Sequence, residues 1–299
     1  MGWEDESGRP AAGGGKRIRP ALCLFAADAL GGAESVAMPG AVAVELVHNF
    51  SLVHDEIQDH DMERHHRPTT FARFGEAQAI NVGDFIFTKA IAALTVGDDD
   101  ANRRMAALDV LNRAIERMIA GQWEDLSFES REQVTVDEYL AMVAGKTGAL
   151  LAAPLEIGAI LAGATPEQST IVGRWGAHVG AAFQAQDDYL GIWGDPKLTG
   201  KSNSNDIIRK KKTLPIVHGL NHAEAGPIIR RAYGAGPLEP GDVSAVVAAL
   251  ELAHADDTCR ERARAQADEA DRLLAALELD DGTRGQFQSI ARYLVERDA

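Results

Sequence analysis

The sequence of 299 residues contains only two cysteines and has no excess of positive charge. Cys23 and Cys259 are too few and too far apart in the sequence for a disulfide framework or a cysteine-rich zinc site, which fits a reducing compartment. The formal net charge of -15 offers no overall basic surface for nucleic acid or an anionic membrane. We therefore expect a cytoplasmic protein without a nucleic-acid partner, in which an anionic substrate needs local cations or metal ions.

A long uninterrupted apolar run is also missing. The longest apolar stretch, residues 148–164, contains Pro154 and Glu156 and is shorter than the ~20 residues of a membrane-spanning helix. The chain does not open on a basic segment followed by an apolar core, as a signal peptide would. The expectation is a soluble protein with no membrane span.

Convincing strand pairs, repeats and linkers between domains are missing too, whereas helical periodicity extends over most of the chain. With 45% hydrophobic residues, the chain can bury a sizeable core. The pattern predicts an all-α protein, with a flexible N-terminal arm at residues 1–12 and a single helical domain at residues 13–299.

Two acidic pairs each end an apolar helical run. Asp55 and Asp59 are four residues apart, so a helix would place both carboxylates on one face, ~6 Å apart along its axis. The second pair is Asp187-Asp188. Magnesium prefers oxygen ligands and commonly combines one or two carboxylates with substrate phosphates. Either pair alone is also compatible with a solvated helix end.

Basic segments accompany both acidic pairs. Residues 62–67 follow the first pair, and a turn-rich loop that ends in the cations of 209–212 follows the second. Near the N-terminus, three glycines precede Lys16 and Arg19, which predicts either an anion-binding loop or a basic helix start. Together, the acidic pairs and the cations predict a site for magnesium and a polyphosphate.

Two other site types do not match the sequence. Gly200-Lys201-Ser202 resembles the end of a nucleotide-binding P-loop, but Asp195 stands where the first glycine is required, and the preceding segment is helical. The histidines between His48 and His66 do not form the His-Glu-x-x-His pattern of a zinc site.

In combination, these motifs resemble the trans-isoprenyl diphosphate synthases, the polyprenyl synthetase family that includes farnesyl and geranylgeranyl diphosphate synthases. The resemblance extends from about Gly13 to Pro215. It rests on Gly-Lys-Arg-Ile-Arg-Pro at 15–20, His48, Asp55-x3-Asp59, Arg64 through Thr69, Lys146-Thr147, Gln184-x2-Asp187-Asp188, Gly194-Asp195-Pro196 with Thr199-Gly200-Lys201, and Lys211-x-Thr213-Leu214-Pro215. It implies an isoprenoid-synthase fold, which is a single helical bundle around a deep central cavity, and a homodimer.

The resemblance also implies a function and a role for each matching residue. A magnesium-dependent prenyltransferase would condense isopentenyl diphosphate with an allylic diphosphate. The implied Mg2+ ligands are Asp55 and Asp59 for two ions and Asp187 for a third, with Asp188 beside it. The implied ligands of the allylic diphosphate are Arg64, Lys146, Lys201 and Lys211. Those of isopentenyl diphosphate are Lys16, Arg19, His48 and His65. Thr147 and Gln184 would offer dipoles to the carbocation.

Three positions depart from the family pattern. Glu56 stands in place of the second Asp of Asp-Asp-x-x-Asp, and Gly191 replaces the last Asp of the second motif, where we expect Asp195 to assist. His65 replaces an arginine that binds isopentenyl diphosphate. Because histidine has an unperturbed pKa of ~6.5, it is only partly charged at neutral pH, and this contact should be weaker. Few residues precede Gly15, so we expect a late start of the chain or loss of the first helix of the family.

Phe50, five residues before Asp55, is expected to form a cavity floor that limits product length, with the small Ser51 beside it. By the resemblance, this predicts C15–C20 products, with geranylgeranyl diphosphate slightly favoured.

Two other functions remain open. One is a class I terpene synthase, a cyclase acting on farnesyl or geranylgeranyl diphosphate. His65 favours it, whereas the presence of Lys16, Arg19 and His48 argues against it. The other is a non-catalytic subunit of a synthase, which would be expected to have lost its metal ligands.

Overall fold

The computed structural model describes residues 17–64, 67–97, 100–194, 205–234 and 236–295. Over these residues the protein is almost entirely helical. The described strands, β1 (Glu63–Arg64) and β2 (Arg67–Pro68), form one short antiparallel pair. The all-α prediction is confirmed. The arm predicted at residues 1–12 lies outside the described residues.

The helices of the described residues follow one another with short connections. In chain order they are α1 Ile18–Ala29, α2 Glu34–Gln58, α3 Thr70–Phe74, α4 Glu76–Thr95, α5 Ala101–Ser130, α6 Val136–Val143, a π-helical turn Ala144–Gly148, α7 Ala149–Ala162, α8 Pro166–Trp193, α9 Asn205–Ile208, α10 Leu214–Asn221, α11 Ala225–Gly234, α12 Pro240–Leu252, α13 Ala255–Leu274 and α14 Asp281–Val295.

The described chain divides into two compact units. The first contains the residues up to Ile115 together with Ala153–Gly173, and the second contains Glu116–Ala152 and the residues from Arg174 onward. The expectation of a single helical domain over residues 13–299 stays a prediction.

In the first unit, α2 packs against α1 and α4. The core-facing side of α2 carries apolar residues at helical spacing, which are Ala37, Ala41, Val44, Val47, Phe50 and Val53. Gly83 lets α4 approach closely, because a Cβ atom there would lie 2.1 Å from Nε2 of His54 on α2. This packing fixes the C-terminal end of α2, where the first acidic pair lies.

In the second unit, α5 crosses the chain next to the π-helical turn. A Cβ atom at Gly121 would lie 2.3 Å from the backbone nitrogen of Lys146, and one at Gly145 would lie 2.6 Å from the carbonyl oxygen of Arg117. Only glycine permits such close contact between backbones. The crossing places Lys146 against α5.

Two helical stretches are long and apolar enough to cross a membrane, judged by length and composition alone. They are Glu34–Gln58, of which the most apolar window is 50% buried, and Val136–Ala162, for which the figure is 61%. A core helix of a soluble protein passes the same test, so the expectation that the chain has no membrane span stays a prediction.

Candidate active site

The first acidic pair lies at the C-terminal end of α2. Asp55 is in the last turn, and Asp59 caps the helix, with its N–H donating to the carbonyl oxygen of Asp55 at 2.8 Å. Both side chains are partly exposed. The structure therefore puts the two carboxylates one turn apart, as the spacing predicts. The C-terminal end of a helix carries partial negative charge, which adds to the attraction for cations.

Glu56, between these two residues in sequence, is buried, with 6% of the residue exposed. Oε1 lies 3.1 Å from Nε of Arg64, and Oε2 accepts a hydrogen bond of 3.3 Å from the N–H of Thr70, the first residue of α3. The departure from the family pattern at this position thus lies on the inner face of α2.

The segment after α2 is held by its own hydrogen bonds. The Thr69 hydroxyl donates to the carbonyl oxygen of Asp61 at 2.7 Å, and the Thr69 N–H donates to that of Met62 at 3.1 Å. β1 pairs with β2 through Glu63 with Pro68 and Arg64 with Arg67. Arg64 is therefore presented from a short, tied loop, whereas His65 lies outside the described residues.

The first unit also brings together Arg19, His48 and Arg64. Burial, and then the charges of both arginines, lower the pKa of His48 to about 3. Burial lowers the pKa of Arg19 to about 10, against the opposing effect of Glu45. Nε of Arg19 is buried and makes no hydrogen bond to the described residues. Two guanidinium groups beside a neutral imidazole form a positive site that can bind an anion. Lys16, expected to act with them, lies outside the described residues.

The residues expected to set product length lie a little more than one helical turn before Asp55. The ring of Phe50 is buried and contacts Phe87 of α4, with 5.2 Å between ring centroids, and His54, edge to face at 5.5 Å. The Ser51 hydroxyl donates to the carbonyl oxygen of His48 at 2.8 Å. Phe50 is thus one half of an aromatic pair between α2 and α4.

In the second unit, Lys146 and Thr147 lie in the π-helical turn, a distortion that is frequent at functional sites. Lys146 forms a salt bridge with Asp125 of α5. Asp125 belongs to none of the sequence motifs described above. The only sequence feature that points to Asp125 is weak: it is an acid one helical turn after Gly121, where α5 lies close to the π-helical turn.

A chain of hydrogen bonds leads from the turn to Asp188. The Thr147 hydroxyl donates to Oε1 of Gln184 at 3.0 Å, and Nε2 of Gln184 donates to Oδ1 of Asp188 at 2.9 Å. Oδ2 accepts from the Tyr139 hydroxyl and from the N–H of Leu214, the latter at 2.9 Å. The side chains of Thr147 and Gln184, whose dipoles were expected to face a carbocation, are therefore hydrogen-bonded to other side chains in this network.

Asp188 is a buried residue, with 3% of its surface exposed, whereas its neighbour Asp187 is partly exposed. Burial raises the pKa of Asp188 to about 7, although its three hydrogen bonds act in the opposite direction. Both carboxylate oxygens of Asp188 are bound by protein donors, so Asp188 holds the fold here, and the metal-ligand role expected for it stays a prediction. Asp187 remains the metal-ligand prediction of this motif.

Asp206 lies next to the glycine that interrupts the second motif. Its Oδ2 would be 2.8 Å from a Cβ atom at position 191. A carboxylate from α9 therefore occupies the space beside Gly191. The expected substitute, Asp195, lies outside the described residues. The sequence contains one clue to Asp206, since it is the only acid between Lys201 and Lys211.

The three lysines after α9 differ in their contacts. Nζ of Lys210 donates to the carbonyl oxygen of Tyr233 at 2.6 Å, and Nζ of Lys212 donates to those of Phe128 and Arg131. Lys211, between them, is exposed. Of these three lysines it is the most exposed, and its role as a ligand of the diphosphate stays a prediction. Lys201, the other lysine predicted to bind diphosphate, lies outside the described residues.

The metal prediction can be compared with these donors. No group of three or more His, Cys, Asp or Glu side chains within the described ranges forms a metal-ligand cluster. Magnesium does not need one, because it keeps several waters and binds through one or two carboxylates plus substrate phosphates. Asp55 with Asp59, and Asp187, are partly exposed carboxylates that fit this type of binding.

Comparisons with known proteins bear on the whole chain. The family model described as Polyprenyl synthetase matches residues 6–250. The (2E,6E)-farnesyl diphosphate synthase of Mycobacterium tuberculosis H37Rv is 40% identical over 305 residues, which cover 100% of this chain and 84% of the relative. The geranylgeranyl diphosphate synthase of the same organism is 40% identical over 256 residues, 85% of this chain and 73% of the relative. A crystal structure of a polyprenyl synthetase from Streptomyces coelicolor A3(2) aligns with a TM-score of 0.90 and 41% identity, and covers 98% of this chain and 89% of that one.

Proposed function

The chain belongs to the polyprenyl synthetase family and has the all-α isoprenoid-synthase fold, and on this basis we propose that it is a short-chain trans-prenyltransferase. It joins isopentenyl diphosphate to an allylic diphosphate and gives C15–C20 prenyl diphosphates for isoprenoid biosynthesis. The names of two relatives, a farnesyl and a geranylgeranyl diphosphate synthase, support this product range. Geranylgeranyl diphosphate is the product that we favour slightly.

One observation carries the proposal. At the end of α2, the exposed carboxylates of Asp55 and Asp59 lie in the same compact unit as the positive cluster of Arg19, His48 and Arg64. A reaction between two diphosphates needs metal ligands for one and cations for the other. This unit contains both.

Each side chain can be given a task in the reaction. Asp55 and Asp59 of the first unit would hold magnesium, which would supply Lewis-acid stabilisation of the leaving diphosphate, and Asp187 is the predicted ligand in the second unit. Arg64 stabilises the negative charge that develops as the C1–O bond breaks. In the second unit, Lys146 and Lys211 are the predicted ligands of the diphosphate. Arg19 and neutral His48 bind the diphosphate of isopentenyl diphosphate. Its double bond attacks the cationic C1, and the proton lost from the adduct goes to the released diphosphate.

The assembly and the location are part of the proposal. Large apolar side chains are exposed on α4 and α5, which are Ile80, Phe85, Met105, Ile119 and Trp123. Such residues are suited to a second copy of the chain, and we propose a homodimer. Both cysteines are buried free thiols, which supports a cytoplasmic location.

The experiment is a product analysis with purified protein, Mg2+ and either geranyl or farnesyl diphosphate, each with and without isopentenyl diphosphate. Elongated diphosphates that appear only with isopentenyl diphosphate support the proposal. Hydrocarbon release from the allylic substrate alone would instead identify a cyclase, and the absence of turnover under all conditions would identify a non-catalytic subunit. Removal of Mg2+ by a chelator should abolish elongation.

A further inference from the structure

Glu56 lies on the buried face of α2, although it stands between two partly exposed acids. It follows the buried residues Phe50 and Val53 at steps of three, the spacing that keeps side chains on one side of a helix. Asp55, one residue earlier, points about 100° away around the helix, and both Asp55 and Asp59 are partly exposed. The buried carboxylate of Glu56 contacts the loop that follows the helix.

The two oxygens of Glu56 have different partners. Oε1 forms an ion pair with Nε of Arg64 at 3.1 Å that lacks the geometry of a hydrogen bond, and Oε2 accepts a hydrogen bond of 3.3 Å from the N–H of Thr70. A glutamine has a single acceptor oxygen and an NH2 group that only donates, so it can make one of these contacts but not both. Both contacts need the carboxylate.

The contacts of Glu56 hold the loop at both ends. Its backbone carbonyl accepts from the N–H of Asp61 at 3.0 Å, at the start of the loop, and its side chain reaches Thr70 at the far end. Arg64 lies between, with Nη2 4.0 Å from the carboxylate of Asp61. The side chain of Arg64 remains 31% exposed, so only its inner edge is occupied by Glu56.

From this geometry we propose that Glu56 is a positioning residue, whose buried carboxylate orients Arg64 toward the substrate diphosphate and which does not bind metal. The proposal rests on the function proposed above, in which Arg64 binds the allylic diphosphate. A freely rotating arginine loses conformational entropy when the diphosphate binds. Because Glu56 already orders Arg64, part of this entropy loss does not weaken diphosphate binding. In this chain, the acid at the second position of the motif, Glu56, therefore positions Arg64 of the loop.

The test is a double-mutant cycle of Glu56→Gln and Arg64→Ala, measured by steady-state kinetics with the allylic diphosphate as varied substrate. We expect Glu56→Gln to lower kcat/KM by ~10- to 100-fold, mainly through KM, since a misplaced binding group has effects of this order. In the Arg64→Ala background the same change should cost less than ~2-fold, because residues that act through each other are not additive. The Mg2+ concentration at half-maximal rate should stay unchanged.

The matched control is Glu63→Gln, which removes one negative charge from the exposed strand β1 of the same loop and should change kcat/KM by less than ~2-fold. A loss from Glu56→Gln that is equally large in both backgrounds would overturn the proposal, and so would a rise in the Mg2+ requirement. Either result would show that Glu56 acts without Arg64.

A binding measurement separates this proposal from the proposed function. Calorimetric titration with inorganic diphosphate should show weaker binding by Glu56→Gln than by wild type and by Glu63→Gln. If wild type does not elongate any allylic substrate, the proposed function fails while this titration still tests Glu56; equal binding by all three proteins overturns the positioning role. Should Glu56→Gln not fold, as judged by circular dichroism, Glu56→Asp replaces it in the cycle. Aspartate retains both oxygens on a shorter side chain. The decrease in kcat/KM that it causes should again disappear in the Arg64→Ala background.

Discussion

Glu56 in the first unit and Asp188 in the second unit hold the same place in their motifs, directly after an exposed acid. Each accepts a hydrogen bond from the first residue of a helix that lies beyond a basic loop, namely Thr70 of α3 and Leu214 of α10. They differ in what compensates the buried carboxylate. Glu56 has the guanidinium of Arg64, whereas Asp188 has the neutral donors of Tyr139, Gln184 and Leu214.

This comparison separates two tasks that the sequence motif combines. A buried carboxylate is costly unless it is paired or hydrogen-bonded, so Glu56 and Asp188 are committed to local structure. Asp55 and Asp187, each one residue earlier, are partly exposed and can meet a ligand. The helix makes this separation unavoidable, because consecutive residues point about 100° apart on a helix of 3.6 residues per turn.

The largest expected effect is on catalysis, from the exposed acids. Asp55→Ala and Asp187→Ala should each lower kcat by at least ~10²- to 10³-fold, the size of loss found when one group that stabilises transition-state charge is removed. The free energy of unfolding, measured by urea denaturation, should change by less than ~1 kcal/mol, since neither residue is buried. If either variant instead loses stability and keeps its rate, the separation of tasks between exposed and buried acids is wrong.

The next effect is on stability, from Asp188. Asp188→Ala leaves three donors without their acceptor in a buried site and should lower the free energy of unfolding by ~3 kcal/mol or more, because each unsatisfied buried group costs ~1–3 kcal/mol. Glu56→Ala should cost less, ~1–2 kcal/mol, since the side chain of Arg64 is 31% exposed and a partly exposed ion pair contributes little to stability. Urea denaturation of Asp188→Ala, Glu56→Ala and Asp187→Ala tests this order of unfolding free energies. Asp188→Ala and Asp187→Ala of equal stability would contradict it.

A third test asks whether product length is set in the first unit alone. Phe50→Ala removes one ring of the pair with Phe87 and should shift the products, measured by mass spectrometry, toward longer chains by one or more C5 units. Lys146→Ala, in the second unit, should lower the rate and leave the chain-length distribution as in wild type. An unchanged distribution in Phe50→Ala would remove this residue from length control.

The sequence contains enough to predict the helices and the spacing of the exposed acids, since both follow from periodicity within one helix. It does not contain the partners of the buried acids. Tyr139 and Leu214 are 49 and 26 residues from Asp188, and which face of α8 they cover depends on packing between distant segments. The place of Asp206 beside Gly191 has the same origin. Local patterns therefore located the motifs, but only tertiary contacts divide each motif into a binding acid and a structural acid.

The smallest expected effect concerns pH and the positive cluster of the first unit. Burial and the charges of Arg19 and Arg64 lower the pKa of His48 from its ordinary value of 6.5 to about 3, so the folded protein binds fewer protons than the unfolded chain between these values. The contribution of His48 to the free energy of unfolding should therefore be complete above pH ~6.5 and should decrease as the pH falls toward ~3. His48→Gln lacks this group, so its stability should fall less than that of wild type between pH 7 and pH 5, as measured by urea denaturation at each pH. Parallel losses in the two proteins would mean that His48 is not held neutral beside the two arginines, and the cluster would then lack the arrangement on which its role in binding diphosphate depends.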